Sequence, residues 1–197
     1  MKKIFFLLLL AIGSLPGFSQ LDKEQEAIKK IFFDFLNFYQ KNEQKFQSFN
    51  LYKGTGEEGG PPYHIQWKEV ENYCSWLRKS VPYVGETYIK NERKDFKYYD
   101  SMFRVEPDEE IPFGFDFDRW SGSQEDIKYM IDLYTSPKNK YIVIINGNKA
   151  ILRIGGELPE GADEPDRGWS EVNFVKEKMK WKMADNIHPY EGESPGT

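Results

Sequence analysis

Two neighbouring aspartates are the first residues whose spacing could do chemistry. Asp116 and Asp118 alternate with Phe113, Phe115 and Phe117, so in an extended segment the rings would dock on the core and both carboxylates would point the same way. Two adjacent carboxylates can bind a hard cation or share a proton. The spacing does not match an EF-hand, which needs Gly at its sixth position and Glu at its twelfth. The alternative is that both aspartates cap turns or face solvent.

Glu92 is the third candidate acid because it is the one carboxylate inside an apolar helical stripe. The stripe continues through Ile89, Phe96, Tyr99 and Phe103 at alternating spacings of three and four residues. A carboxylate that is partly withdrawn from water takes up a proton more readily and can serve as a general acid or base. Alternatively, Glu92 lies at the edge of the stripe and reaches solvent, or it pairs with a neighbouring Lys or Arg.

Large aromatic side chains supply the candidate binding residues. The chain contains five Trp and 12 Tyr, and such rings can stack on sugars or form a surface for a partner. Trp76 lies opposite the apolar stripe of its helix and Trp120 lies in an irregular segment, so neither position requires burial. We predict that Trp76, Trp120 and Tyr99 bind a ligand or partner, the alternative being that aromatic rings fill a core poor in Leu and Val.

Composition excludes several classes of site. A single cysteine, Cys74, excludes an intrachain disulfide and a cysteine-cluster metal site, and two histidines exclude a multi-histidine site. The net charge of −5 is spread along the chain, which disfavours nucleic acid as a partner. Neither Gly-x-Ser-x-Gly nor Gly-x-Gly-x-x-Gly occurs. We therefore expect no metal and no cofactor, and we expect Cys74 to be a buried core residue.

The first 19 residues have the three parts of a secretory signal peptide. Lys2 and Lys3 precede an apolar run from Ile4 to Ile12, and small residues follow up to Ser19. The run is much shorter than the roughly 20 residues that a membrane-spanning helix needs. We therefore expect export to the periplasm or the exterior, cleavage near Ser19, and no membrane insertion of the mature chain.

The order of the elements predicts one α+β domain over residues 20–188. Three segments have helical spacing: 21–49, 66–80 and 84–104. Gly and Pro in residues 50–63 argue against a regular element there. Two-residue alternation predicts strands in five segments: 129–134, 141–145, 150–154, 170–176 and 180–187. This order is typical of N-terminal amphipathic helices packed on one face of an antiparallel meander, and the polar residues 189–197 predict a disordered tail.

Two segments carry a resemblance to a known group of folds. The closing strands, from Trp169-Ser-Glu-Val-Asn-Phe-Val to Trp181-Lys-Met-Ala-Asp-Asn-Ile187, resemble the nuclear transport factor 2-like superfamily, which has a cone-shaped, cystatin-like architecture. Residues 117–126 resemble a branch of uncharacterised exported bacterial proteins, domain-of-unknown-function family 3828. The resemblance implies a pocket between the helices and the curved sheet, but it carries over no catalytic residue.

These observations favour a non-catalytic binding module of the cell envelope or exterior. It would hold a small molecule, a glycan or a protein partner in the pocket between the helices and the sheet. One alternative is a pocket enzyme that uses Glu92, Asp116 or Asp118 as its acid or base. Another is a periplasmic immunity-type or chaperone-like protein whose partner face centres on Trp76, Trp120 and the acidic loop 157–166. Homodimer formation also stays open.

Overall fold

The computed structural model describes residues 16–158, 160–163, 167–190 and 192, with side chains from Leu21 onward. Within these residues the protein is a mixed α+β structure with four α-helices and an antiparallel sheet, which confirms the predicted class. Residues 1–15 of the predicted signal peptide lie outside the described residues, and residues 16–19 belong to the first helix. Most of the predicted tail also lies outside them.

The helices are amphipathic segments that bury one side. Their bounds are α1 Pro16–Phe46, α2 Trp67–Ser80, α3 Glu86–Val105 and α4 Ile127–Thr135. The spacing therefore predicted α2 and α3 correctly to within two residues. Cys74 is fully buried on α2, and this burial raises the pKa of its thiol to about 11. Cys74 is thus the buried core residue that we expected.

Two local predictions are wrong. Residues 129–134 form most of helix α4 instead of a strand, because the Asp126 side chain caps the helix by accepting hydrogen bonds from the N–H groups of Lys128 and Tyr129. Three side chains of α4 are buried in positions that suit a helix: Met130, Ile131 and Tyr134. The Gly- and Pro-rich segment 50–63 contributes to a hairpin, whose strands are β1 Tyr52–Gly54 and β2 Tyr63–Ile65.

The main sheet is an antiparallel meander in the order β3-β4-β5-β6. The strands are β3 Lys140–Asn146, β4 Lys149–Gly155, β5 Trp169–Glu177, β6 Lys180–Met183 and β7 His188–Pro189. Strand β6 ends four residues before the predicted end of the last strand, and β7 returns to pair with β5. Pro189 pairs with Ser170, and the ring of Tyr190 lies 4.1 Å from the guanidinium of Arg153. The fold therefore continues past residue 188, where we had placed its end.

Helix α1 lies against the sheet through both apolar and polar contacts. The Gln25 side-chain amide donates to the carbonyl of Val143 on β3 at 2.9 Å. Glu24 accepts hydrogen bonds from Lys176 Nζ on β5 at 2.9 Å and from Trp181 Nε1 on β6 at 3.1 Å. Fully buried side chains from the helix and the strands form the shared core: Ile28, Phe32, Phe35, Leu152 and Val172. The space between α1 and the sheet is therefore filled by side chains.

Glu177 at the end of β5 fixes the start of α3. Its carboxylate accepts hydrogen bonds from the N–H groups of Glu86 at 2.9 Å and Thr87 at 2.8 Å. Gly85 permits this approach, because a Cβ there would lie 2.4 Å from Glu177 Oε2. Burial opposes the charge on Glu177, but the two N–H donors outweigh it, so the pKa of Glu177 lies below its ordinary value. The sheet thus sets where α3 begins.

We predict that Glu177→Ala lowers the free energy of unfolding by about 1 kcal/mol at neutral pH, since it removes the cap of α3. Because the pKa of Glu177 is lower in the folded than in the unfolded chain, its contribution is fully present above the ordinary value of 4.5. It is lost as the pH falls through the folded value. Urea unfolding at several pH values measures this, with Glu125→Ala as the exposed control. A difference from the parent protein that does not shrink in acid would contradict the prediction.

Candidate binding groove

The second half of α3 and the loop that follows it enclose a groove of about 630 Å³. The helix contributes Asp95, Tyr98 and Tyr99, which lie three and four residues apart and therefore share one side of α3. The loop 106–117 forms the opposite wall. Gly114 has a φ of +79°, and a Cβ there would lie 2.6 Å from the Tyr99 ring. Glycine thus lets the loop approach the helix closely.

Apolar side chains in this groove remain open to solvent. The exposed fractions are 54% for Tyr98, 56% for Ile111, 38% for Phe113 and 39% for Phe117. The ring of Phe113 packs 5.6 Å from that of Tyr98 and 5.8 Å from that of Tyr99. Only Phe115 of the three predicted core rings packs against the core. The expectation that Phe113 and Phe117 dock there is wrong, and the loop presents them to the groove.

The charged residues that line the groove are acidic. They are Asp95, Glu106, Glu109 and Asp116. Burial, followed by the nearby Glu92 carboxylate, raises the pKa of Asp95, so Asp95 is the carboxylate whose charge is least well solvated. Asp116 is exposed at the edge of the groove. The surface therefore combines aromatic rings with carboxylates that form no ion pair among the described residues, although Arg119 and Lys94 lie near enough to Asp95 to oppose the rise of its pKa.

Asp118 does not join Asp116, because its carboxylate is turned into the protein. It accepts hydrogen bonds from the N–H groups of Trp120 at 3.0 Å and Ser121 at 2.8 Å, and from the hydroxyl of Tyr39. Burial and the Asp118 carboxylate raise the pKa of Tyr39 far above its ordinary value, so this hydroxyl stays protonated as a donor. Asp118 is thus a turn cap that ties the loop to α1, the alternative that the sequence left open.

Glu92 lies beneath the groove and does not line it. Its side chain is 1% exposed, and its two carboxylate oxygens accept hydrogen bonds from Arg119 Nη2 at 2.9 and 3.0 Å. Asn186 Nδ2 donates to the same carboxylate at 3.1 Å, and the Tyr88 hydroxyl donates to Asn186 Oδ1 at 2.5 Å. Glu92 therefore pairs with an arginine. We had expected such a partner to be a neighbouring residue, but Arg119 lies in a distant loop.

Arg119 is the residue of this region that sequence reasoning missed. Its guanidinium lies 4.5 Å from the centre of the Phe96 ring and 5.4 Å from that of Tyr99. Burial opposes its charge, but Glu92 outweighs this effect and keeps the pKa of Arg119 above its ordinary value. The available signal was the buried position of Glu92 on its stripe, since a buried carboxylate needs a cation. Arg119 thus supports the floor of the groove under Tyr99.

The tryptophans do not form the predicted binding surface. Trp120 is 3% exposed, and its ring lies between the rings of Tyr88 at 4.9 Å and Phe35 at 4.6 Å. Trp76 is half-buried and packs 4.7 Å from the ring of Phe46. Of the three predicted ligand or partner residues, only Tyr99 lines the groove. A partner face centred on both tryptophans is therefore not supported, because Trp120 is a core residue.

Two other cavities present fewer exposed large apolar side chains than the groove does. One, of about 550 Å³, shares Asp116 and Phe117 with the groove, but its aromatic floor of Tyr39, Tyr73 and Trp120 is almost fully buried. The other, of about 500 Å³, lies between the start of α3 and the sheet, where the floor includes Ile144. Ile144 is the only large apolar side chain lining this cavity that the structure describes as exposed.

The described part of the chain holds no group of three or more His, Cys, Asp or Glu residues that could bind a metal ion. In the same residues, no helix is long and apolar enough to cross a membrane. The acidic loop is described only in part: Glu157 pairs with Lys138, whereas Glu164 and Asp166 lie outside the described residues.

Comparisons with protein families, curated proteins and solved structures found no match to this chain.

We predict that Arg119→Met lowers the free energy of unfolding by about 3–5 kcal/mol, because it leaves the Glu92 carboxylate buried without its cation. The double variant Glu92→Gln/Arg119→Met should lose clearly less than the sum of the two single variants, since both partners of one interaction are then neutral. Urea unfolding of the four proteins measures this coupling. Arg78→Met, which breaks an exposed pair with Glu86, is the control and should change stability by less than about 1 kcal/mol. Additive losses would show that the pair is not coupled.

Proposed function

We propose that this protein is an exported, non-catalytic binding module and that the groove along α3 is its binding site. One observation carries the proposal: of the eleven large apolar side chains that are exposed among the described residues, four converge on this groove. Single exposed apolar residues are ordinary on protein surfaces, whereas a contiguous cluster with a polar rim marks a binding surface. The groove is therefore favoured over the cavity beside the sheet.

The geometry of the candidate acids supports binding over catalysis. A general acid or base has to reach a substrate with a free oxygen. The oxygens of Glu92 are held by Arg119 and Asn186, and those of Asp118 are held by Tyr39 and two backbone N–H groups. Asp116 is free but exposed to water. These carboxylates are suited to positioning the loop and setting its charge.

The proposal includes the finer fold and the location expected from the sequence. We propose that the chain is nuclear transport factor 2-like, with helices on one face of a curved, cystatin-like sheet, and that it is exported after cleavage of residues 1–19. The order of helices before a meander and the bonds of Gln25 and Glu24 to the strands support the fold. The basic start and apolar run of the first 12 residues support export.

The neutral dye Nile red tests the apolar groove without involving charge. We predict saturable fluorescence enhancement at one site and a loss of affinity of about tenfold or more in Ile111→Ser/Phe113→Ser, since each buried apolar side chain contributes more than about 1.4 kcal/mol. Tyr129→Ser and Met179→Ser, at exposed positions elsewhere, are the matched controls and should bind the dye like the parent. Binding that survives the double substitution, or its complete absence from the parent, would refute the proposed site.

A further inference from the structure

The groove has a charge pattern that its apolar surface does not require. Four carboxylates line it, and neither Lys nor Arg is among the lining residues that the structure describes. None of the four forms an ion pair within the described part of the chain, whereas Asp100 on the same helix is paired with Arg104. Carboxylates without an ion pair attract a cation that binds beside them, and salt screens this attraction.

The spacing of the acids indicates the length of the occupant. Asp95 and Glu106 are eleven residues apart along α3 and its C-terminal cap, which corresponds to about 16 Å at 1.5 Å per residue and to the same side of the helix. Tyr98 lies between them along the helix, and Phe113 packs on it from the loop. A single ammonium group cannot reach both ends. An extended five-residue peptide places its first and fifth side chains on one face about 13 Å apart, and the flexible side chains of Lys or Arg cover the rest of the distance.

We propose that the groove binds an extended basic peptide segment of a partner protein, with two Lys or Arg residues four positions apart and an apolar residue midway between them, so that all three side chains lie on one face. This inference rests on the proposed binding function and adds the chemistry of the partner. The terminal cations meet Asp95 at one end and Glu106 at the other. The central apolar side chain covers Ile111 and Phe113, and a cation can also lie over the exposed ring of Tyr98.

Charge also decides against other occupants of the groove. A second copy of the chain would bring the same acidic groove and a net charge of −5 to the contact, so a two-fold dimer through this face would place like charges together. An anionic ligand meets the same repulsion. A small organic cation satisfies one end only and leaves the other carboxylates without a partner. The basic peptide is the occupant that complements both the rings and the acids.

Isothermal titration calorimetry with synthetic peptides tests the inference. The probe is acetyl-Lys-Ser-Phe-Ser-Lys-amide, and the matched peptides carry norleucine or Glu in place of both Lys. We expect the Lys peptide alone to bind, with affinity falling several-fold between about 50 and about 300 mM salt. Asp95→Asn/Glu106→Gln should weaken its binding about tenfold or more and remove most of the salt dependence. Asp132→Asn, on the exposed side of α4, should leave peptide binding unchanged.

Each other outcome overturns a defined part of the account. If the norleucine peptide binds as tightly as the Lys peptide, the cationic partner is wrong although the groove still binds. If phenethylammonium matches the affinity of the Lys peptide, one cation suffices and the extended segment is wrong. If Nile red binds in the groove but no peptide does, the peptide inference fails and the proposed function stands. If Nile red binding also fails, the proposed function is itself overturned.

Discussion

The buried ion pair of Glu92 with Arg119 is the interaction on which the candidate site depends. Removing two charges from water costs several kcal/mol for each ion, and only close geometry with further hydrogen bonds offsets this cost. Here Asn186 completes the bonding of Glu92, and Arg119 lies over two aromatic rings. The pair joins the middle of α3 to a residue 27 positions later in the chain. It therefore determines how the loop returns across the helix.

Residues 106–126 form a long connection without a helix or strand of their own, yet they are tied down at several points. Arg119 is bound to Glu92, Asp118 is bound to Tyr39 on α1, and Gly114 lies against Tyr99. Loops of this length inside a compact fold are usually functional or disordered. The anchoring gives this one a defined shape, which explains how it can keep Phe113 and Phe117 exposed beside α3.

Local patterns in the sequence predicted the elements that are long enough to show their period. Helices α2 and α3 span three turns or more, so their apolar stripes distinguish a helix from a strand. The short segment 129–134 fits the two-residue period of a strand as well as the 3.6-residue period of a helix. The cap at Asp126, which starts helix α4, distinguishes the two. The β1–β2 hairpin was missed because the Gly and Pro residues between its strands dominate the local composition.

The site could be predicted only in part, because its defining contacts join distant residues. The stripe on α3 identified Glu92 as unusual and placed Tyr99 on the same helix, but no local pattern connects Glu92 with Arg119. The sequence around Trp120 did not indicate that the rings of Tyr88 and Phe35 would cover its side chain. Asp116 is exposed, whereas the carboxylate of Asp118 is turned into the protein, where it accepts a hydrogen bond from Tyr39 on helix α1. No local pattern connects Asp118 with Tyr39.

The central claim is that the groove beside the loop anchored by this ion pair is the binding surface of the protein. It is tested most directly by two-dimensional NMR of the amide signals during titration with the basic peptide. The account predicts that the largest shifts fall on residues 95–99 and 109–117, and that they are absent in Asp95→Asn/Glu106→Gln. Shifts that centre on Ile144 and the neighbouring strands, or no shifts at all, would contradict it.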